Sequence, residues 1–167
     1  MERSSIESIV RGLNEAGVRY LIVGGLAVVA HGYLRFTADL DLVLDMESEN
    51  LLKGLAVLKA LGYRPRAPVP IEDFADGSKR RSWTEEKNLK VFSLYSQQHQ
   101  ATEVDVFVEA PFDFSLAYPE ALSQPVAEGV NALFVDYARL VELKRKAGRP
   151  RDLDDLSRLR ALKGEGL

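Results

Sequence analysis

The chain of 167 residues is long enough for one domain, or for a core with a small appendage. It has no cysteine, which excludes disulfides and thiolate zinc sites, and its two histidines are too few for a histidine-rich metal site. The most apolar stretch, residues 21–30, contains two glycines and is too short to cross a bilayer. A cytoplasmic protein with no membrane partner and no leader peptide is therefore expected.

Charge is distributed unevenly along the chain. Residues 1–138 carry 13 Lys and Arg against 20 Asp and Glu, which gives −7, and residues 139–167 carry 9 against 5, which gives +4. An acidic body with a basic tail could bind a metal ion on one side and phosphates on the other. The simpler alternative is that the tail is a pair of solvated helices.

In the first part of the chain, helical periodicity and strand-like runs alternate. Apolar spacing and flanking glycines predict a helix capped by Ser4 or Ser5 and ended by Gly17, a strand at 20–23, a helix at about 26–31, a strand at 39–44, and a helix from Ser48 to Gly62. This alternation predicts a sheet with helices packed on it.

The second part is less regular at its start. Residues 65–88 are rich in proline and charge and predict a loop with one short helix near 77–86. Strands are then predicted at 89–95 and 102–108, a hairpin at 126–135, a helix that Asp136 caps and that ends near Gly148, and a last helix after Pro150. The fold class is predicted as α+β, a mixed sheet flanked by helices. We divide it into a core of residues 1–115 and a hairpin with C-terminal helices at 116–167, packed as a single domain.

Three aspartates form the main chemical signal. Asp39 and Asp41 are two apart on a predicted strand, so both side chains point to one face, where like charges repel unless a cation lies between them. Mg²⁺ is the expected cation, because it is held by carboxylates and substrate phosphates. Asp105 lies between valines on another predicted strand. If the two strands pair, three carboxylates can hold two metal ions for a phosphoryl displacement, with Asp41 bridging and Asp105 nearest the attacking hydroxyl. The alternative is that all three belong to the solvent-facing side of half-exposed strands.

A glycine pair precedes this strand. Gly24 and Gly25 follow a predicted strand and open a helix, so their backbone can approach a ligand closely and the helix N-terminus can attract phosphate. Neither the P-loop nor the dinucleotide-binding pattern is present. A tight turn between a strand and a helix is the competing interpretation.

Taken together, the glycine pair, the Asp39-Leu40-Asp41 strand and the later Asp105 resemble the polymerase-β-type nucleotidyltransferase superfamily over about residues 20–108. The segments around His31-Gly32 and Arg35 to Asp41 resemble a minimal bacterial branch that includes AbiEii-type toxin and aminoglycoside nucleotidyltransferases. The tail, with Lys144, Arg149 and residues 151–156, resembles the helical segment of that branch. One departure is Gly25, where this superfamily often has a serine.

The resemblance implies roles for individual residues. The three aspartates would be catalytic and bind two Mg²⁺ ions, for which Mn²⁺ could substitute. The residues implied in binding the nucleotide are Gly24, Gly25, Arg35, Thr37, Lys144 and Arg149, and Asp152 or Asp155 would orient the tail.

The implied activity is transfer of a nucleoside monophosphate from an NTP to an acceptor hydroxyl, with release of pyrophosphate. The acceptor favoured by the branch is tRNA in a toxin–antitoxin setting, with a cognate antitoxin or toxin protein as partner. A small-molecule hydroxyl on an aminoglycoside-type antibiotic and a non-catalytic antitoxin or regulatory module are the alternatives.

Structural roles remain open for several of these residues. Arg35 could pair with a surface acid, Lys144 and Lys146 could be solvated, and Arg149 could form an ion pair with Asp152 at a helix start. His31 is expected to pack under the glycine loop and His99 to be exposed in a turn. Trp83, beside Arg80 and Arg81, is expected to cover the sheet rather than clamp a base.

Overall fold

One seven-stranded mixed sheet organises the molecule in the computed structural model, which describes residues 1–166. The strands are β1 (Tyr20–Val23), β2 (Asp39–Leu44), β3 (Tyr63–Pro65), β4 (Val91–Ser96), β5 (Glu103–Phe107), β6 (Leu122–Ala127) and β7 (Val130–Phe134). They are arranged in the order β3-β4-β5-β2-β1-β7-β6. β2 runs parallel to β5 and β1 parallel to β7, and the other neighbouring pairs are antiparallel.

Seven helices surround the sheet within the described residues. They are α1 (Arg3–Glu15), α2 (Gly24–Ala30), α3 (Ser48–Ala60), α4 (Gly77–Lys87), α5 (Phe114–Ala117), α6 (Tyr137–Ala147) and α7 (Pro150–Lys163). Two short 3₁₀ turns lie at Ile71–Ala75 and Tyr118–Glu120. The predicted α+β class is confirmed, and no helix among residues 1–166 is long and apolar enough to cross a membrane.

The strand pattern separates an apolar face from a polar one. On β2 the buried leucines Leu40, Leu42 and Leu44 alternate with Asp39 and Asp41, because successive side chains point to opposite faces. The leucine face packs against α3, where Gly54 leaves room for Leu44. The aspartates lie on the other face, on which α2 contacts β1 and β2 and is itself contacted by α6.

Several predicted boundaries differ from the structure. The first helix begins at Arg3, and neither Ser4 nor Ser5 caps it, since Ser5 is buried and its hydroxyl lies 2.9 Å from Nδ1 of His99. That contact makes His99 half-buried, so its predicted exposure is wrong. Within 65–88 the predicted helix is confirmed as α4, but the 3₁₀ turn at Ile71–Ala75 was not predicted. Strand β3, which ends at Pro65, was not predicted either.

The C-terminal part agrees closely with its sequence pattern. Asp136 caps α6 by accepting a hydrogen bond from the backbone N–H of Arg139, and Gly148 ends this helix in the left-handed conformation. The predicted hairpin is β6 and β7, and β7 pairs with β1, so the segment beyond residue 115 contributes two strands to the common sheet. Trp83 packs as predicted, with its ring stacked 5.2 Å from that of Phe92.

Candidate active site

Four carboxylates form two rows on the polar face of the sheet. In the parallel pairing of β2 with β5, Asp41 lies directly opposite Asp105 and Asp39 directly opposite Glu103. Side chains at these positions project from one face of strands about 4.8 Å apart. The Asp39–Asp41 strand thus pairs with the Asp105 strand, which is the condition that the three-carboxylate hypothesis set. Glu103 is a fourth acid that was not assigned a role from the sequence.

Burial and like charge make the ionised forms of Asp41 and Asp105 unfavourable. Burial raises the pKa of Asp41 to about 7, and the negative charges of Asp105 and Asp39 add to the increase. Burial also raises the pKa of Asp105, although its hydrogen bond from the hydroxyl of Ser93, at 2.6 Å, acts in the opposite direction. A carboxylate pair of this kind is stabilised in its charged form by a cation.

The donor chemistry fits a divalent metal ion, because hard oxygen ligands are those that Mg²⁺ and Mn²⁺ prefer. Within residues 1–166, no three His, Cys, Asp or Glu side chains already converge as a metal-binding group. Side chains would have to reorient on their strands to share a metal ion. Asp39, Asp41 and Asp105 as metal ligands, and Mg²⁺ as cofactor, therefore remain predictions.

The glycine pair allows a close contact with the Asp41 side chain. Gly24 has φ +66°, and a Cβ atom placed on it would lie 2.0 Å from Oδ2 of Asp41. A Cβ on Gly25 would lie 2.4 Å from Oγ1 of Thr37. A side chain at either position would displace the group that it meets, so glycine allows the backbone that opens α2 to lie directly against Asp41 and Thr37.

The loop before β2 is attached to α7. The guanidinium of Arg35 contacts both carboxylate oxygens of Asp155, at 2.7 and 2.9 Å, and also donates to the backbone carbonyl of Phe36 at 2.8 Å. Arg151 donates to the same carbonyl. Asp155 is fully buried, so the open alternative in which Arg35 pairs only with a surface acid does not apply. These contacts place Thr37 beside Gly25.

Lys144 is buried rather than solvated. Its Nζ lies 2.9 Å from a carboxylate oxygen of Asp152 and 2.9 Å from one of Asp155, and all three side chains are at most 6% exposed. Asp152 also pairs with Arg149, the N-cap residue of α7, at 2.7 Å. Lys146, by contrast, is exposed as the solvated alternative predicts.

Lys144 and Arg149 are both close enough to Asp41 to lower its pKa, but burial raises this pKa by more. The Arg149 side chain is 74% exposed, so it can also meet a ligand from solution. The positive charges of Lys144 and Arg149 in the tail therefore lie near Asp41. His31, next to the glycine helix, contacts the carbonyl oxygen of Val135 at 2.8 Å through Nε2.

Two residues near the acids were not predicted from the sequence to belong to the site. Ser93 contacts Asp105 from β4, and Arg66, just beyond β3, forms an ion pair with Glu103. Glu103 could have been found, because Glu103-Val104-Asp105 repeats the acid–apolar–acid spacing of Asp39-Leu40-Asp41. Arg66 and Ser93 could not, because only the strand pairing brings them beside the acids.

No protein-family model matches the chain, and no curated protein is detectably similar in sequence. Solved structures do match. They include LnuA, a lincosamide antibiotic adenylyltransferase with lincomycin bound, at TM-score 0.60 and 14% identity over 96% of this chain and 97% of that one. The chain has a nucleotidyltransferase fold.

Two further nucleotidyltransferase-fold structures give the same result. ANT(2″)-Ia in complex with adenylyl-2″-tobramycin matches at TM-score 0.57 and 14% identity, over 95% of this chain and 87% of that one. An antigenic nucleotidyltransferase-like protein from Paracoccidioides brasiliensis matches at TM-score 0.59 and 15% identity, over 96% and 75%. The resemblance to the superfamily is thus supported at the level of the fold.

Proposed function

We propose that the chain is a Mg²⁺-dependent nucleotidyltransferase that moves a nucleoside monophosphate from an NTP to an acceptor hydroxyl. The observation that carries the proposal is the position of Asp41 directly opposite Asp105 and against the backbone of Gly24, in a fold shared with nucleotidyltransferases. Carboxylates for metal ions, a close backbone approach for phosphate and nearby cations are the parts that phosphoryl transfer requires.

In this proposal the chain binds and orients the two reactants. Asp39, Asp41 and Asp105 would hold Mg²⁺, which would supply positive charge for the phosphoryl displacement. The backbone at Gly24 and Gly25, which lies against Asp41 and Thr37, is placed beside the triphosphate. The hydroxyl oxygen forms a bond to the α-phosphorus, the bond to the pyrophosphate oxygen breaks, and Asp105 accepts the hydroxyl proton.

The tail has a different part in the proposal from the one its sequence first suggests. Arg149 is exposed and near Asp41, so it is placed to contact a phosphate. Lys144 is already held by Asp152 and Asp155, and we infer that it supports α7 and contributes its charge through space. Arg35 and Thr37 hold the loop against Gly25.

The acceptor defines two candidate functions. The resemblance of the segments around Arg35 and Arg149 to the AbiEii-type branch supports a tRNA acceptor in a toxin–antitoxin setting. The structural similarity to LnuA with lincomycin, and to ANT(2″)-Ia with adenylylated tobramycin, supports an antibiotic hydroxyl instead. Both share the same reaction at the α-phosphorus.

Calorimetric titration of ATP, GTP, CTP and UTP tests the proposal, with Mg²⁺ or with EDTA. We expect binding of at least one nucleotide that requires Mg²⁺ and is lost in Asp41→Asn, while circular dichroism of the variant is unchanged. Binding of the same strength in Asp41→Asn contradicts the metal assignment. Absence of binding in the wild type favours a non-catalytic module.

A further inference from the structure

The polar face of the sheet continues beyond Asp105 onto β4 and β3. Tyr95 lies opposite Arg64 in the β3–β4 register, and it is two residues from Ser93, which lies opposite Asp105. Because residues two apart share a face, Tyr95 and Arg64 project on the same side as the acids. We call Arg64, Arg66, Tyr95 and Glu103 the β3–β4 platform. Arg64 and Arg66 are exposed, and the other two are half-buried.

Arg66 has a fixed orientation on this platform. Its guanidinium carbon lies 5.2 Å from the centre of the Tyr95 ring, and both Nε and Nη2 donate to the carboxylate of Glu103. The Arg66 side chain is nevertheless 54% exposed. The guanidinium therefore lies over the tyrosine ring and donates to the glutamate, while about half of the side chain remains open to solvent.

The platform lies on the side of the acids away from the nucleotide features. Gly24, Gly25 and Arg149 approach Asp41 from β1, α2 and α7, whereas Arg66 approaches Asp105 across β4. An in-line displacement needs the acceptor and the leaving pyrophosphate on opposite sides of the α-phosphorus. If the triphosphate lies at the glycine pair, the acceptor comes from the β4 side.

The charge of the platform favours an acceptor that carries a phosphate. Glu103 is neutralised by Arg66, which leaves the positive charge of Arg64 beside the ring of Tyr95. A phosphate is attracted to Arg64 at this position. Guanidinium planes and aromatic rings are the surfaces on which unpaired bases stack. An open cavity of about 760 Å³, lined in part by Tyr95 and Arg64, extends from the platform along the edge strand.

We propose that the β3–β4 platform is the acceptor subsite, and that it takes the single-stranded end of a nucleic acid. One base stacks on the Arg66 guanidinium, and a neighbouring phosphate lies near Arg64. The assignment of an acceptor rests on the proposed function. The binding of a single-stranded end can be measured without it.

Fluorescence anisotropy of a labelled, unstructured RNA pentanucleotide tests the platform, with and without Mg·ATP. The variants are Arg66→Ala and Arg66→Lys. The control is Arg81→Ala, because Arg81 is an exposed arginine on α4. Helix α4 packs on the opposite face of the sheet, where Trp83 stacks on Phe92. Loss of one stacked base is expected to raise the Kd about tenfold in Arg66→Ala. Arg66→Lys, which keeps the charge but not the plane, is expected to raise it about threefold.

Three outcomes decide the inference. A weakened RNA affinity in Arg66→Ala, with Arg81→Ala and the Kd for Mg·ATP nearly unchanged, supports the subsite. Equal RNA affinity in Arg66→Ala and Arg81→Ala overturns it, and so does a wild-type protein that binds Mg·ATP but no RNA. A wild-type protein that does not bind Mg·ATP counts against the proposed function alone. The RNA titration without nucleotide still tests whether the platform binds a single-stranded end.

Discussion

Lys144 of α6 and Asp155 of α7 form a buried ion pair, with Nζ 2.9 Å from the carboxylate oxygen. Asp152 contacts the same Nζ at 2.9 Å, and Asp155 in turn holds Arg35 in the loop before β2. A chain of buried charges thus connects the C-terminal helices to the loop that supports the glycine pair. This arrangement predicts that stability and nucleotide affinity respond differently to changes in the tail.

Replacing Lys144 with alanine is expected to destabilise the protein by about 2–3 kcal/mol, because Asp152 and Asp155 lose a shared buried cation, although each keeps an arginine partner. Urea unfolding measures this loss. Lys146→Ala is the matched control, since Lys146 is exposed on the same helix, and its effect is expected to stay within about 0.5 kcal/mol. A Lys144→Ala variant as stable as Lys146→Ala, but with weakened NTP binding, would make Lys144 a direct phosphate ligand instead.

The raised pKa of Asp41 makes stability depend on pH. The ordinary pKa of an aspartate is 3.8, and the pKa of Asp41 is about 7 in the folded protein. The folded state therefore binds the proton more tightly than the unfolded state does. In metal-free buffer, the raised pKa of Asp41 contributes to the free energy of unfolding. This contribution is fully present below about pH 4 and is lost as the pH rises through about 7. Asp41→Asn removes this loss and is expected to be more stable than the wild type at pH 8, by on the order of 2–4 kcal/mol.

Urea unfolding in EDTA at pH 4 and pH 8 measures the effect of Asp41→Asn, with Glu49→Gln as the control because Glu49 is 74% exposed. If Asp41→Asn and the wild type lose the same stability between the two pH values, the side chain of Asp41 is not held in the environment described here. Added Mg²⁺ is expected to stabilise the wild type at pH 8 and to leave Asp41→Asn unchanged.

The glycine pair offers a comparison between two glycines with similar backbone conformation. Gly24 has φ +66° and Gly129 has φ +70°, but only a Cβ on Gly24 meets another atom, the carboxylate of Asp41. Gly129→Ala is expected to cost about 1–2 kcal/mol from the left-handed conformation alone, with NTP affinity unchanged. Gly24→Ala is expected to cost more and to abolish Mg·NTP binding, which calorimetry measures. Equal NTP affinities in the two variants would remove Gly24 from the site.

Much of the sheet could be predicted from local pattern, because β2 and β5 each carry alternating acids and apolar residues. The paired position of Asp105 then follows once β2 and β5 are neighbours. Strand β3 was missed because Tyr63–Pro65 has three residues and ends in proline, so only pairing with β4 reveals it. The N-terminal cap was misassigned because Ser5 has a tertiary partner, His99, that is 94 residues away in sequence.

The burial of Lys144 also could not be read from its own helix. A lysine among charged neighbours on an amphipathic helix has the pattern of a solvated position, and its two acid partners lie on α7. Arg66 presents the same difficulty, since its ion pair with Glu103 joins residues 37 apart in sequence. Local patterns therefore predicted the acids that define the site, whereas the cations around it are placed by tertiary contacts.

Nucleotidyl transfer by this chain is expected to depend on Asp39 and Asp41. Its most direct measurement is incubation of the protein with each α-³²P-labelled NTP, Mg²⁺ and total bacterial tRNA, beside Asp39→Ala/Asp41→Ala protein. We expect label on RNA from one nucleotide with the wild type and none with the double variant. Equal labelling by the two proteins, or Mg·NTP binding with no label on RNA and none on aminoglycoside or lincosamide acceptors, would contradict the account.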